Sequence, residues 1–266
     1  MKGWIASLLL FSLFLCPSAF AGDQGKGEDW TYTLSGGHEG RGATLFRFFH
    51  DRFQPEEMTL VLDGHPDETG RVRHLYLDVR GAFVDDLRLD QIVLEAFDTQ
   101  FNAPELWDEA IDVTSMLAVY SEATLREEDI NTRLREKQIG DDDAHWQRIG
   151  IDFGPDGVHA SGLYRAKFLF TFDILIEIDG QFDLVRGRQV WLSDYTLKIN
   201  RREIPESLAK RAISQLQPIL DLDRFIFPLR LASIEQDDEK VTLRSRHLPT
   251  PFRGITYRFV RDGLSR

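Results

Sequence analysis

The chain has 266 residues, with 32 Lys and Arg against 44 Asp and Glu, and a net charge of −12 at pH 7. A field of this sign repels nucleic acid phosphates and gives no general affinity for anionic membranes. The single cysteine, Cys16, excludes a disulfide within the chain and a cysteine-based zinc site.

The N-terminus has the pattern of a signal peptide. Lys2 precedes an apolar run that ends at Leu15, and the segment 19–21 (Ala-Phe-Ala) has small residues at the two positions that a signal peptidase recognises. We therefore expect residues 1–21 to be a signal peptide cleaved before Gly22, and the protein to be exported to the periplasm or the extracellular space, soluble after cleavage. A lipoprotein anchor at Cys16 is the alternative, but Leu15 stands before it where a small residue is needed.

The first half of the exported chain reads as a leader, a short helix and a set of strands. Residues 22–41 are rich in glycine and charge, which predicts a flexible leader. In the segment 43–53, Leu45, Phe49 and Phe53 recur every four residues, which predicts a helix. From Glu57 to Tyr120 apolar and polar residues alternate in short runs separated by turn signals, which predicts an antiparallel meander.

Two further helices are predicted. Thr124 and Glu127 have the spacing of a capping box, so a helix is expected to begin there and to end at Gly140. A third helix is expected to open with Pro205 in its first turn and to close before Pro218. Its apolar stripe comprises Leu208, Ala209, Ala212, Ile213 and Leu216.

In the segment 167–179, KFLFTFDILIEID, every even position is apolar and most odd positions are polar, which is a strand pattern with one apolar and one polar face. A two-residue hairpin at Asp179-Gly180 would place apolar residues opposite polar ones, whereas a strand that continues through Gly180 keeps Phe182 and Leu184 in phase with Ile178. We therefore predict one long strand that bends at Gly180 and turns near Arg186-Gly187. Its apolar strip is roughly 35–40 Å long, since a strand rises about 3.3 Å per residue.

A strip of this length exceeds what the predicted helices can cover, because a helix of about 12 residues is only about 18 Å long. We predict an α+β fold in which a long, strongly curved antiparallel sheet wraps around two or three amphipathic helices and leaves part of an apolar trough open. An ordinary sandwich core, closed by other strands, is the alternative. The predicted lining of the trough is Phe168, Phe170, Phe172, Ile174, Ile176, Ile178, Leu208, Ala212, Ile213, Leu216, Phe225 and Phe227.

The C-terminal part contains a predicted strand, a hairpin and a basic tail. Phe225 to Leu231 alternates around Pro228, which predicts a strand at an edge or a bulge, and a last hairpin ends near Arg246. Residues 247–266 are expected to form a basic tail or an edge strand. Its arginines alternate with aromatic residues, so a contact with a lipid headgroup is conceivable for Arg253, Arg258 and Arg261. The alternative is an edge strand that balances an acidic body.

Three segments resemble the LmeA-type family of envelope phospholipid-binding proteins. They are ATLREEDINTRLRE (123–136), the Gly-Leu of VHASGLYRAKF, and REIPESLAKRAISQLQPILDLDRFIFPLRLASIEQDDEKVTLRSR (202–246). The similarity extends from about residue 42 to 246, which is the range expected for a single domain. It implies an exported protein that binds phospholipid in an apolar cavity, with a fold similar to tubular lipid-binding proteins. The resemblance implies no catalytic residues at any position of this chain.

No sequence pattern indicates catalysis. Asp141-Asp142-Asp143 and His145 have the composition of a cation site but lack the spacing of a calcium loop, so a solvated loop is expected. The histidines occur singly, without an HExxH motif, and a GxSxG motif is absent. The predicted function is non-enzymatic binding of a phospholipid or another acyl lipid in the bacterial envelope, without metal or cofactor. Carriage of the lipid and transient contact with a membrane surface are the further roles that we consider. The alternative is a ligand-free scaffold for protein partners with a fully packed core.

Overall fold

The computed structural model describes residues 32–34, 39–84, 87–140, 146–167 and 171–261. The predicted signal peptide, the cluster from Asp141 to His145 and the last residues of the basic tail lie outside this part of the chain. Within it, three α-helices accompany antiparallel sheets, so the predicted α+β antiparallel class is confirmed. The strands form two sheets where the sequence predicts one. The curvature and the wrapping around helices stay predictions.

Contacts divide the chain into two compact units. We call residues 126–221 with 234–241 the six-stranded unit, and the described residues up to 125, with 222–233 and 242–261, the nine-stranded unit. The predicted single domain, 42–246, includes residues of both units and stays a prediction. No helix in the described part of the chain is long and apolar enough to cross a membrane.

The nine-stranded unit contains the predicted meander and the first helix. Most residues of the nine-stranded sheet belong to this unit, and the sheet has the order β1-β15-β2-β3-β4-β6-β14-β13, with β5 paired to β4. Helix α1 (Arg41–Phe53) buries Leu45, Phe49 and Phe53 as the four-residue spacing predicts. The bounds of the strands are β1 Tyr32–Leu34, β2 Glu57–Leu62, β3 Arg71–Val84, β4 Leu87–Phe101, β5 Val113–Ser115, β6 Ala118–Arg126, β13 Leu231–Gln236, β14 Lys240–Ser245 and β15 Ile255–Val260.

Two predictions for the C-terminal part are wrong. The strand expected from Phe225 begins only at Leu231, after a 3₁₀ turn at Leu222–Arg224 and beyond Pro228, which has no N–H to donate to a ladder. The segment expected to be a tail or an edge strand instead contains β15, which pairs with β1 on one side and β2 on the other. The predicted closing hairpin, β13 and β14, is confirmed.

The six-stranded unit is a sheet of order β11-β10-β9-β8-β7, in which β12 also pairs with β10. The bounds are β7 Trp146–Gly154, β8 Gly157–Lys167, β9 Thr171–Val185, β10 Gln189–Ile199, β11 Arg202–Glu203 and β12 Leu220–Asp221. Strand β9 runs through Gly180 without a turn and connects to β10 through Arg186 and Gly187, both with positive φ, as the parity argument predicts. It begins later than predicted, because Lys167 belongs to β8 and pairs with Thr171.

Helix α2 (Glu127–Gly140) begins later than predicted. Thr124 remains in β6, where it pairs with Gln91, so the predicted capping box does not form. The Glu127 carboxylate instead accepts a hydrogen bond from the backbone N–H of Phe153 in β7, at 2.6 Å. The pairing of Thr124 with Gln91 in the sheet therefore decides the conformation of this residue, and the local capping pattern does not.

Helix α3 (Glu206–Ile213) follows Pro205 directly and is shorter than predicted. It buries Ala209, Ala212 and Ile213, which lie on the predicted stripe. Leu216 lies beyond the helix, in the turns that lead to Pro218. The helix contacts β10 of the same unit.

Candidate functional site

The candidate site is the apolar face of the six-stranded sheet. Opposite residues in an antiparallel pair share a face, so the register decides which side chains lie together. Ile176 lies between Gly162 of β8 and Ile199 of β10. Ile178 lies between Ala160 and Leu197 in the same way. The even-numbered residues of β9 thus form the middle of a continuous apolar surface.

Exposure along this face rises toward the start of β9. Ile176 and Ile178 are 5% and 7% exposed, Ile174 is half-buried, and Phe172 is 43% exposed. Ile199, beside Ile176, is 39% exposed. The start of β9 is therefore the more exposed end of the apolar face.

The opposite face of β9 is polar and its charges are paired across strands. The Arg165 guanidinium donates to Asp173 at 2.9 Å and holds the pKa of that carboxyl below its ordinary value. Lys198 donates to Asp179 at 2.8 Å and His159 donates to it at 2.6 Å, and these hydrogen bonds likewise lower the pKa of Asp179. One side of the sheet is therefore ionic and the other apolar.

The predicted lining residues on α3 divide between buried and exposed positions. Ala212 and Ile213 are 3% and 1% exposed, whereas Leu208 is 43% exposed and Leu216 is half-buried. Phe168 and Phe170 lie outside the described residues. In this unit the structure thus leaves four members of the predicted lining exposed or half-buried, which are Phe172, Ile174, Leu208 and Leu216.

Phe225 and Phe227 belong to the nine-stranded unit, where they pack against α1. The Phe227 ring is fully buried, with its centroid 5.9 Å from that of Phe49. Phe225 is half-buried, 6.3 Å from Phe53. Their aromatic contacts are made within that unit, by a helix that the sequence predicts from its phenylalanine spacing.

The three arginines predicted to contact a headgroup also lie in the nine-stranded unit. Arg253 and Arg258 are exposed, and Arg258 lies on β15 between the buried Tyr257 and Phe259. The Arg261 guanidinium donates to the backbone oxygens of Gln54 and Pro55, at 3.2 and 3.3 Å. Arg261 therefore has a structural contact, and the role of all three arginines with a headgroup stays a prediction.

Some residues of the apolar face were not predicted as lining. Val158, Ala160, Gly162 and Tyr164 of β8 lie on it because they pair with the even positions of β9. Their own alternation in VHASGLY is the signal that could have identified them, although small side chains at Ala160 and Gly162 weaken it.

The described residues offer no metal site and one concave region away from the apolar face. No group of three or more His, Cys, Asp or Glu side chains there could hold a metal ion. A concave region of about 300 Å³ in the nine-stranded unit is lined by Arg41, Thr44, Pro104, Glu105, Trp107 and Asp108. Its lining contains none of the predicted residues and is largely polar, unlike the apolar face.

Comparison with known proteins gives one match. No curated protein and no solved structure matches the chain. The model of the LmeA-like phospholipid-binding family matches residues 54–246, a range that includes all of β7 to β12 and helices α2 and α3. Because this match covers most of the chain, the protein belongs to the LmeA-like phospholipid-binding family.

Proposed function

We propose that the protein binds a phospholipid by holding its acyl chains against the apolar face of the six-stranded sheet. The observation that carries this proposal is the graded exposure of that face, from Ile176 at 5% to Phe172 at 43%. The buried residues around Ile176 hold the face in a defined position. The exposed end at Phe172 is a surface on which an acyl chain can pack. Membership of a phospholipid-binding family supports the choice of ligand.

We further propose that binding occurs without catalysis and serves carriage in the bacterial envelope. The N-terminal pattern of residues 1–21 supports export. On the described apolar face, β9 presents only hydrocarbon side chains from Phe172 to Ile178, so it offers contacts for acyl chains and no nucleophile or acid. The charged groups of the same strand lie on the other face, where Asp173 and Asp179 are paired with Arg165 and Lys198.

The test compares substitutions on the two faces of one strand. Phe172→Asp and Ile174→Asp place a carboxylate on the apolar face, where burial of a charge beside an acyl chain is unfavourable. Asp173→Asn is the matched control, because it lies between them and points to the other face. Native mass spectrometry of protein purified without detergent measures bound lipid, and circular dichroism checks that each variant is folded.

We expect phospholipid on the wild-type protein and on Asp173→Asn, and at least a tenfold loss on Phe172→Asp, which corresponds to about 1.4 kcal/mol. Phe172 is exposed, so its substitution tests the face even if Ile174→Asp proves unstable. Equal lipid content in all variants would contradict the assignment of the face. A protein that stays free of ligand after incubation with phospholipid would instead support the scaffold with a packed core.

A further inference from the structure

The β8–β9 hairpin extends past its neighbour β10 in the sheet. Strand β10 pairs with β9 only from Ile176 onward, so residues 171–175 have no β10 partner in the described register. These five residues pair with β8 on one side and correspond to about 16 Å of strand. On the other side, the described part of β7 begins at Trp146, opposite Tyr164 of β8. We call residues 164–167 and 171–175 the ribbon.

The ribbon has an apolar face and an ionic face. Phe172, 43% exposed, and Ile174 share the apolar face with Tyr164, which is opposite Ile174. The Arg165–Asp173 pair occupies the other face. A two-sided ribbon of this kind suits a boundary between water and an apolar phase, as amphipathic segments on membranes do.

The turn between β10 and β11 is fastened to the base of the ribbon. Its two residues, Asn200 and Arg201, have φ of 50° and 65° and connect the pair Ile199 and Arg202. The Asn200 N–H donates to the carbonyl of Leu175 at 2.8 Å, and the Leu175 N–H donates to the Asn200 side-chain oxygen at 3.0 Å. These two hydrogen bonds hold the turn at a fixed position beside β9.

This turn presents two arginines at the apolar end of the sheet. Arg202 is opposite Ile199 and so lies on the face that also carries Phe172. Arg201 and Arg202 are exposed, and in the part of the chain that the structure describes no carboxylate forms an ion pair with either. The neighbouring Glu203 is opposite Lys198, on the other face.

We propose that the ribbon and this turn form a docking surface for an anionic phospholipid bilayer. Arg201 and Arg202 bind lipid phosphates, and Phe172 enters the interfacial layer. Guanidinium groups pair with phosphate oxygens through charge-assisted hydrogen bonds. The net charge of −12 does not prevent this contact, since charges more than about 8 Å away are screened at physiological ionic strength. Binding of the bilayer by this surface does not require the proposed function. Its role does rest on that function, because the surface would bring a bilayer to the lipid-binding face.

The test measures co-sedimentation of the full chain with phosphatidylcholine vesicles, with and without phosphatidylglycerol, at low and high salt. The variant combines Arg201→Asn and Arg202→Gln, because asparagine tolerates the left-handed conformation at position 201. Arg186→Asn is the matched control. Arg186 is an exposed arginine with φ of 55° in the turn at the opposite end of β9. Bound lipid is measured on the same samples by native mass spectrometry.

We expect the wild-type protein and Arg186→Asn to bind the anionic vesicles, and binding to fall at high salt. The double variant should bind about 30-fold more weakly, since each basic residue near an anionic surface contributes about a fivefold factor. Co-purified lipid should be unchanged in the double variant, because neither arginine lies among the acyl-chain contacts. Wild-type protein that binds the anionic vesicles but carries no co-purified lipid would contradict the proposed function and leave the docking surface standing.

Three results would overturn the docking surface. Wild-type protein that binds no vesicles would leave an acidic protein as the partner of these arginines. Equal binding of the double variant and the wild-type protein would remove the arginines from the contact. An equal loss in Arg186→Asn would mean that binding reflects diffuse charge rather than this end of the sheet.

Discussion

The contact between α2 and β7 makes a quantitative prediction about stability. The Asn131 amide donates to the carbonyl of Ile151 at 2.7 Å and accepts from its N–H at 2.8 Å. Strand β7 is at the edge of the six-stranded sheet as described. The two hydrogen bonds therefore satisfy backbone groups on the side of β7 that faces away from β8. Asn131→Ala should remove both, at a net cost of about 1 kcal/mol each. Alanine is the better helix former and offsets about 0.5 kcal/mol of that cost.

We therefore expect Asn131→Ala to lower the free energy of unfolding by about 1.5 kcal/mol. Urea titration followed by circular dichroism measures the change, and an unchanged m-value confirms that the same surface unfolds. Thr132→Ala is the matched control, since this exposed neighbour gains a similar helix propensity and should be slightly more stable than wild type. If the two variants unfold at the same urea concentration, Asn131 does not stabilise the edge of the sheet.

Two further predictions concern β9. Because hydrogen bonds from Lys198 and His159 lower the pKa of Asp179, its charged form stabilises the fold above its ordinary pKa of 3.8 and this stabilisation is lost as the pH falls through the lowered value. Asp179→Asn should thus lower the free energy of unfolding by up to about 1 kcal/mol at pH 7, a small value because the pair is partly exposed. Urea titrations should show a smaller difference between variant and wild type at pH 3 than at pH 7. A difference that grows in acid would contradict the pairing. Gly180→Ala should cost about 1–3 kcal/mol, because a Cβ would lie 2.9 Å from Leu192, and a thermal midpoint equal to wild type would refute this close contact.

The faces of β9 could be predicted from local sequence. Side chains of a strand alternate whatever the strand pairs with, so Ile174, Ile176 and Ile178 share a face in any register. The same rule predicts passage through Gly180, because a turn there would mix apolar and polar partners. Helix α1 was predictable for a similar reason, since one face of a helix recurs every three to four residues.

The boundary between β8 and β9 could not be predicted. Glycine, proline, asparagine and aspartate mark turns, and the segment from Lys167 to Phe172 contains none of them. The prediction of the start of α2 was wrong for a different reason. Thr124 has a helix-capping pattern, but it belongs to β6, where it pairs with Gln91. The position of β15 beside β2 joins residues about 200 apart in sequence, and no local pattern reports such a pairing.

The sequence by itself determined which side chains share an apolar face and where most helices and strands form, because these properties depend on backbone geometry that repeats every two or 3.6 residues. Only the tertiary structure decided that the strands form two sheets and that the β8–β9 hairpin extends beyond β10. It also decided that Arg202 lies on the face of Phe172 and Ile199. These features depend on which strand pairs with which and in what register, and that choice is made by contacts between distant parts of the chain.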